Sequence, residues 1–121
     1  DNLGIGHRVR WTGYAAPETV ARYYAVADVL ILPSLSEVWG LVVNEALACG
    51  VPVIVSDAAG SSADLVRPGV NGFVVPAGDR AALATEMGRF FGDDTLRLAM
   101  AGAAASSIAR FSIAAMADAF E

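Results

Sequence analysis

Two short stretches of this chain are apolar on both faces, "VLIL" (Val29–Leu32) and "PVIVS" (Pro52–Ser56), and between them lies "WGLVVNEALACG", whose apolar residues recur at helical spacing. A strand with no polar face has no side to offer water, so it belongs inside a sheet covered on both surfaces. Parallel sheets meet that condition, because each crossover lays a helix on one face. The rest of the chain continues the alternation. Val9–Trp11 in "RVRWTG" reads as a short strand ended by Gly13. "APETVARYYAVAD" reads as a helix, with Pro17 in its first turn, Glu18 at its positive end, and Val20, Tyr23, Tyr24 and Ala27 along one stripe. Pro33 stops the strand before it, and Gly50 caps the central helix. "DAAGSSADLVRPGVNG" reads as a loop with a short helix, closed by the turn pairs Pro68-Gly69 and Asn71-Gly72, and Phe73–Val75 as a strand. "GDRAALATEMGRFFGD" is a helix with Asp79 as N-cap; "DTLRLAMAGAAASSIARF" and "SIAAMADAFE" give further helix. The expected fold is α/β, a Rossmann-like parallel sheet flanked by helices. Ligands of such sheets bind beyond the carboxyl ends of the strands, which directs attention to the segments just after Trp11, Leu32 and Ser56.

At 121 residues the chain holds one domain. Apolar residues make up 55 % and charged residues 17 %, more apolar than a domain of this size needs, so part of the surface is expected to be covered by something else. No apolar run reaches the roughly 18–20 residues of a membrane span, and the first residues lack the basic-then-apolar order of a signal peptide. The single cysteine, Cys49, allows no internal disulfide and reads as a small core residue. The cytoplasm is the expected location. The net charge is −5 and all eight basic residues are arginines, which argues against binding a nucleic-acid backbone. Backbone N–H groups can still hold a small anion. "GIGHRV" lacks the third glycine of a dinucleotide fingerprint, His7 reads as a surface residue, and no His, Cys and carboxylate set has metal-ligand spacing. Neither a metal nor a cofactor is expected.

The chemistry concentrates in "PSLSEVWGLVVNEALACG". A helix that starts just beyond a strand offers unpaired N–H groups and roughly half a positive charge, a setting suited to phosphate. Gly40 permits close approach of the backbone to a ligand, so the amides of Gly40, Leu41 and Val42 are candidate phosphate donors. Glu37 stands on the loop at the mouth of this site. Glu45 lies one turn inside the helix on the face of Leu41, where a carboxylate can accept two hydrogen bonds from a vicinal diol such as a ribose. Spacing alone leaves a plainer reading open, in which both acids are solvated charges on the polar side of a loop and a helix. Trp39 either shapes the site or packs beneath the loop.

This stretch resembles the signature of the retaining glycosyltransferases of family 4, which have the GT-B fold: a glutamate, seven residues and a second glutamate, here Glu37 and Glu45, with Gly40 between them. "HRVRWTGYAAPETVARYYAVADVLILPS" upstream and "PGVNGFVVPAGDRAALATEM" downstream are similar to the family's segments in the same order. The resemblance implies a transfer of a sugar from a nucleoside diphosphate sugar to an acceptor hydroxyl with retained configuration. It places Glu45 on the ribose hydroxyls and Glu37 on the transferred sugar, as an orienting and electrostatic catalytic residue. The backbone at Gly40, Leu41 and Val42 would hold diphosphate or sugar hydroxyls, and the loop at Gly13 and Tyr14 the nucleobase. The loop "DAAGSSADLV" departs from the family's Gly-Gly and Pro-Glu pattern; Gly60 is carried over as a donor-site residue, and Asp64, standing where Glu is usual, is not.

The family's diphosphate-binding Arg and Lys come from an earlier part of its domain, and this chain has no Lys. Residues 1–121 therefore read as the latter part of a C-terminal nucleotide-sugar-binding domain, without its first strands or the N-terminal acceptor domain. A strand at Val9–Trp11 would then lack its neighbours. The acceptor (a sugar, a lipid or a small molecule) would sit mainly on the absent domain, as would any peripheral membrane association. Residues 1–121 alone are not expected to transfer sugar, since the cleft needs both domains. Two alternatives stand beside this reading: a noncatalytic nucleotide- or partner-binding module, and a GT-B-like nucleotide-sugar epimerase.

Overall fold

A computed structural model describes residues 2–109. Three parallel strands, β1 (Leu30–Leu32), β2 (Val53–Ser56) and β3 (Gly72–Val75), form a sheet in the order β1-β2-β3. Leu30 pairs with Val53, and Val53 with Gly72, so the strands run in step. Among the described residues five α-helices accompany them: α1 (Pro17–Val26), α2 (Leu41–Ala48), α3 (Ser61–Leu65), α4 (Arg80–Gly92) and α5 (Asp94–Ser107).

β2 is buried at all four positions, as its two-sided apolar sequence requires. Val53 and Val55 face a cluster with Val43, Ala46 and Leu47 of α2, whereas Ile54 faces a second cluster with Phe73, Val75, Phe90 and Met100. The alternation is the two-residue period of a strand, with α2 over one face, α4 over the other and α5 contributing to both. Removing each of the larger side chains (Val, Leu, Ile, Phe, Met) from water stabilises the fold by about 1.5–3 kcal/mol, so the middle strand anchors the domain. α2 ends at the glycine that its sequence marks as a cap, Gly50, with φ +77 just past Cys49. Asp79 caps α4 by accepting from Ala82 N at 2.9 Å, and Asp93 caps α5 by accepting from Leu96 N at 2.9 Å. Asn71 is fully buried; its amide reaches Leu65 O at 2.9 Å and Ser107 Oγ at 2.8 Å, tying the turn before β3 to α5.

One expected strand is absent. Val9–Trp11 pairs with no strand; instead Gly6–Arg8 forms a single 3₁₀ turn, with Arg8 N bonded to Ile5 O at 2.8 Å, and Val9 continues as extended backbone. A β-prone run becomes a strand only where another strand meets its N–H and C=O groups, and no described strand lies beside this one. Trp11 is consequently 93 % exposed. Among the described residues β1 likewise pairs only along the edge facing β2. The expected helix in "SIAAMADAFE" lies outside the described residues. Among the described residues no helix is long and apolar enough to cross a membrane.

Candidate functional site

After β1 the chain runs through Pro33–Trp39 and enters α2 at Gly40, whose φ of +86 and ψ of 66 are left-handed. A Cβ at that position would stand 3.1 Å from Leu32 Cδ2 and 3.4 Å from both Glu37 Cγ and Ser61 Oγ. Backbone angle and space both demand glycine there. The first α2-entry amide to be used is that of Val43, which bonds Gly40 O at 3.0 Å. The amides of Gly40, Leu41 and Val42 have no acceptor among the described residues, so three donors converge at the positive end of α2. These are the amides expected to face phosphate.

The loop that delivers them is pinned on both sides. Gly60 N donates to Glu37 O at 3.2 Å and Ser61 N to Trp39 O at 2.9 Å, and Glu37 pairs with Ala59 in an isolated parallel bridge. On the other side the Trp39 indole N–H donates to Asn44 Oδ1 at 2.8 Å, so Trp39 packs at the core's edge while its polar tip grips α2. The Glu37 side chain remains exposed at this bend. Gly60 has an ordinary right-handed backbone, with φ −58 and ψ −32, yet a Cβ on it would overlap the Val38 carbonyl oxygen. Its role in the structure is thus spacing: it lets two backbones touch and holds the Glu37 loop from behind. Ser61, fully buried beside Gly40, has a hydroxyl without a hydrogen-bond partner.

Along its side α2 faces α1 across an open cavity of about 540 Å³, walled by Tyr14, Pro17, Val20, Tyr24, Glu45 and Cys49 among others. Two expected site residues, Tyr14 and Glu45, therefore meet on one cavity although they are far apart in sequence. Tyr14 is 94 % exposed, an aromatic face free to stack. Gly13 precedes it with φ +59 and does not itself line the cavity. Glu37, Gly40 and Gly60 lie outside the cavity, at the entry to α2. A second cavity, about 460 Å³, opens at the carboxyl ends of all three strands between Pro33, Ser56, Pro76 and Arg80.

Two wall residues differ from their expected roles. Cys49, a core residue by its sequence surroundings, is exposed, on the cavity side of the helix end. Tyr24, part of an apolar helix stripe by its spacing, donates its phenol proton to Glu45 Oε2 at 3.0 Å, with Val42 O a longer 3.4 Å away. Partial burial first, and the neighbouring Glu45 carboxylate second, push the Tyr24 hydroxyl well above its ordinary range, so it stays a proton donor at any physiological pH. No local pattern marks this pair, because an aromatic at helical spacing reads the same whether it faces core or cavity.

Residues 1–107 match the family described as glycosyl transferases group 1. The chain is 38 % identical over 119 residues to a D-inositol 3-phosphate glycosyltransferase of Corynebacterium jeikeium, covering 98 % of this chain and 28 % of that protein. It superposes with a TM-score of 0.86 and 35 % identity on sucrose-phosphate synthase from Thermosynechococcus elongatus, over 98 % of this chain and 29 % of the other. It superposes with a TM-score of 0.86 and 28 % identity on Anabaena HepE in complex with UDP-glucose, over 98 % of this chain and 32 % of the other. These neighbours support the Rossmann-like α/β reading of the fold. The chain spans less than a third of the length of each of these proteins.

Proposed function

Because the chain belongs to the glycosyl transferases group 1 family, we propose that it is the donor-binding part of a family 4 glycosyltransferase that moves a sugar, of hexose type, from a nucleoside diphosphate sugar to an acceptor hydroxyl with retention of configuration. The observation that carries this reading is the flanking of one helix, α2, by two complementary surfaces: free amides at its start, and a Tyr14–Glu45 cavity along its side. In this arrangement Glu45 accepts from the ribose hydroxyls and Tyr14, presented by the turn at Gly13, stacks on the nucleobase. The amides of Gly40, Leu41 and Val42 hold the diphosphate, and Glu37 orients the sugar. Gly60 serves the site through the loop that it holds. HepE, a structural neighbour, is known in complex with UDP-glucose, which supports this reading of the ligand chemistry.

The bond that breaks joins the anomeric carbon to the diphosphate oxygen, and the one that forms joins that carbon to the acceptor oxygen. Negative charge grows on the departing diphosphate while the sugar turns oxocarbenium-like, and fixed amide dipoles stabilise that charge without reorganising. The departing phosphate oxygen takes the acceptor's proton. Glu37 steadies the sugar's positive character and its hydroxyls.

The chain is further proposed to be the latter part of a C-terminal domain whose first strands, and whose N-terminal acceptor-binding partner, lie elsewhere in a longer protein. Among the described residues nothing pairs with the outer edge of β1, and Trp11 and Val26 are exposed; both support this, as does the span relative to the relatives. The cytoplasm is the proposed location.

Cys49 offers a direct test of the cavity, since it is an exposed thiol on the wall that also carries Glu45. In the full-length protein, alkylation of Cys49 by iodoacetamide, mapped by mass spectrometry, should slow severalfold in saturating UDP-glucose or the corresponding diphosphate. Unchanged labelling in the presence of every common nucleotide sugar would remove the cavity from donor binding. Product analysis by NMR tests the reaction: the transferred sugar should keep the donor's anomeric configuration, and Glu37→Gln should depress turnover more than donor affinity. An inverted product would refute retention, and free epimer without acceptor would favour the epimerase.

A further inference from the structure

We propose that Tyr24 is a positioning residue for the donor's ribose, acting through Glu45; this rests on the reading of Glu45 as the ribose ligand. Glu45 is an exposed residue on a flexible three-torsion stem, and such a side chain normally samples several rotamers. Here it is not free. Tyr24 comes from α1, and its ring is half-buried against the core that α2 covers, so the hydroxyl has a fixed place in space. That hydroxyl carries one proton and gives it to Glu45 Oε2, at 3.0 Å.

For a ligand in the cavity this bond matters in two ways. A carboxylate has about four acceptor positions, so one bond to Tyr24 leaves three, enough for both hydroxyls of a vicinal diol. And because the rotamer is already chosen, the diol meets a carboxylate whose ordering cost has been met in the folded protein rather than at binding. A phenol suits the role, because its proton stays in place across physiological pH and the tether does not release when conditions shift. The same bond cross-braces α1 and α2, the two walls of the cavity, at the level of the Val42 carbonyl.

The test uses the full-length protein and whichever of UDP, ADP or GDP binds it most tightly, together with the 2′-deoxy form of that nucleotide. Affinities are measured by calorimetry for wild type, Tyr24→Phe, Glu45→Ala and the double variant, alongside melting temperatures. Tyr24→Phe removes a single oxygen and keeps the ring, so folding should survive. The ribonucleotide should bind wild type about tenfold more tightly than its 2′-deoxy form. Tyr24→Phe should weaken the ribonucleotide about three- to tenfold, weaken the deoxynucleotide less because it keeps one hydroxyl for Glu45, and have no further effect once Glu45 is alanine. Equal weakening of both nucleotides, full retention of the ribose preference, or an undiminished Tyr24→Phe effect in the Glu45→Ala background would overturn the role assigned to Tyr24 while leaving Glu45 in place. If wild type binds no nucleotide, or Glu45→Ala keeps the ribose preference, the reading of Glu45 fails and the inference falls with it.

Discussion

Replacing Gly60 with alanine is expected to lower the unfolding free energy by about 1–3 kcal/mol and to remove most donor binding. The backbone of Gly60 is right-handed, so alanine is conformationally welcome there. The obstacle is the Val38 carbonyl oxygen, which a Cβ would overlap, with Val38 C at 3.1 Å and Trp39 Cα at 3.4 Å behind it. A flexible side chain could yield to such an intrusion; two backbones can do so only by separating. Separation breaks the bonds from Gly60 N to Glu37 O and from Ser61 N to Trp39 O, which hold Glu37 and the Gly40 turn in place. Denaturant unfolding and donor calorimetry on the same variant check the two parts. Gly88→Ala is the control: a Cβ there meets nothing within 4 Å, and alanine in the middle of α4 should stabilise by about 0.5–1 kcal/mol. A Gly60→Ala protein with wild-type stability and donor affinity would show that the contact with Val38 is not needed.

Replacing Glu45 with alanine in the full-length protein should weaken nucleotide-sugar binding about tenfold to a hundredfold. A hydrogen bond to a charged group contributes about 1.5–3 kcal/mol, and each 1.4 kcal/mol is a factor of ten in the dissociation constant. Stability should change little, because the side chain is exposed and the Tyr24 hydroxyl that donates to it keeps Val42 O within 3.4 Å. That separates the variant from Gly60→Ala, which loses stability and binding together. Glu18→Ala, an exposed acid in the first turn of α1, should leave affinity unchanged. Calorimetric affinity equal to wild type would take Glu45 out of the site.

Much of this molecule could be read from one dimension. Val53–Val55 had to be a covered strand because no face of it tolerates water, and Asp79 had to begin a helix because its carboxylate sits where Ala82 N needs an acceptor. The positions of Gly40 and Glu45 on and within α2 obey local backbone rules that need no distant partner. Val9–Trp11 misled for the complementary reason: its residues favour a strand, but a strand exists only with a neighbour, and none is described there.

The chain order alone therefore determined the set of elements whose causes are local: apolar period, caps, a left-handed glycine, and two glutamates at a fixed interval around the start of α2. Only the tertiary structure decided the relations between distant segments. Tyr24 and Glu45 meet because the fold sets α1 across a cavity from α2, Tyr14 joins that cavity from a loop, Cys49 faces it instead of the core, and Gly60 matters for the carbonyl it abuts rather than for its own torsions. Contacts of that kind depend on how close two surfaces come, a quantity that no residue's own propensity encodes.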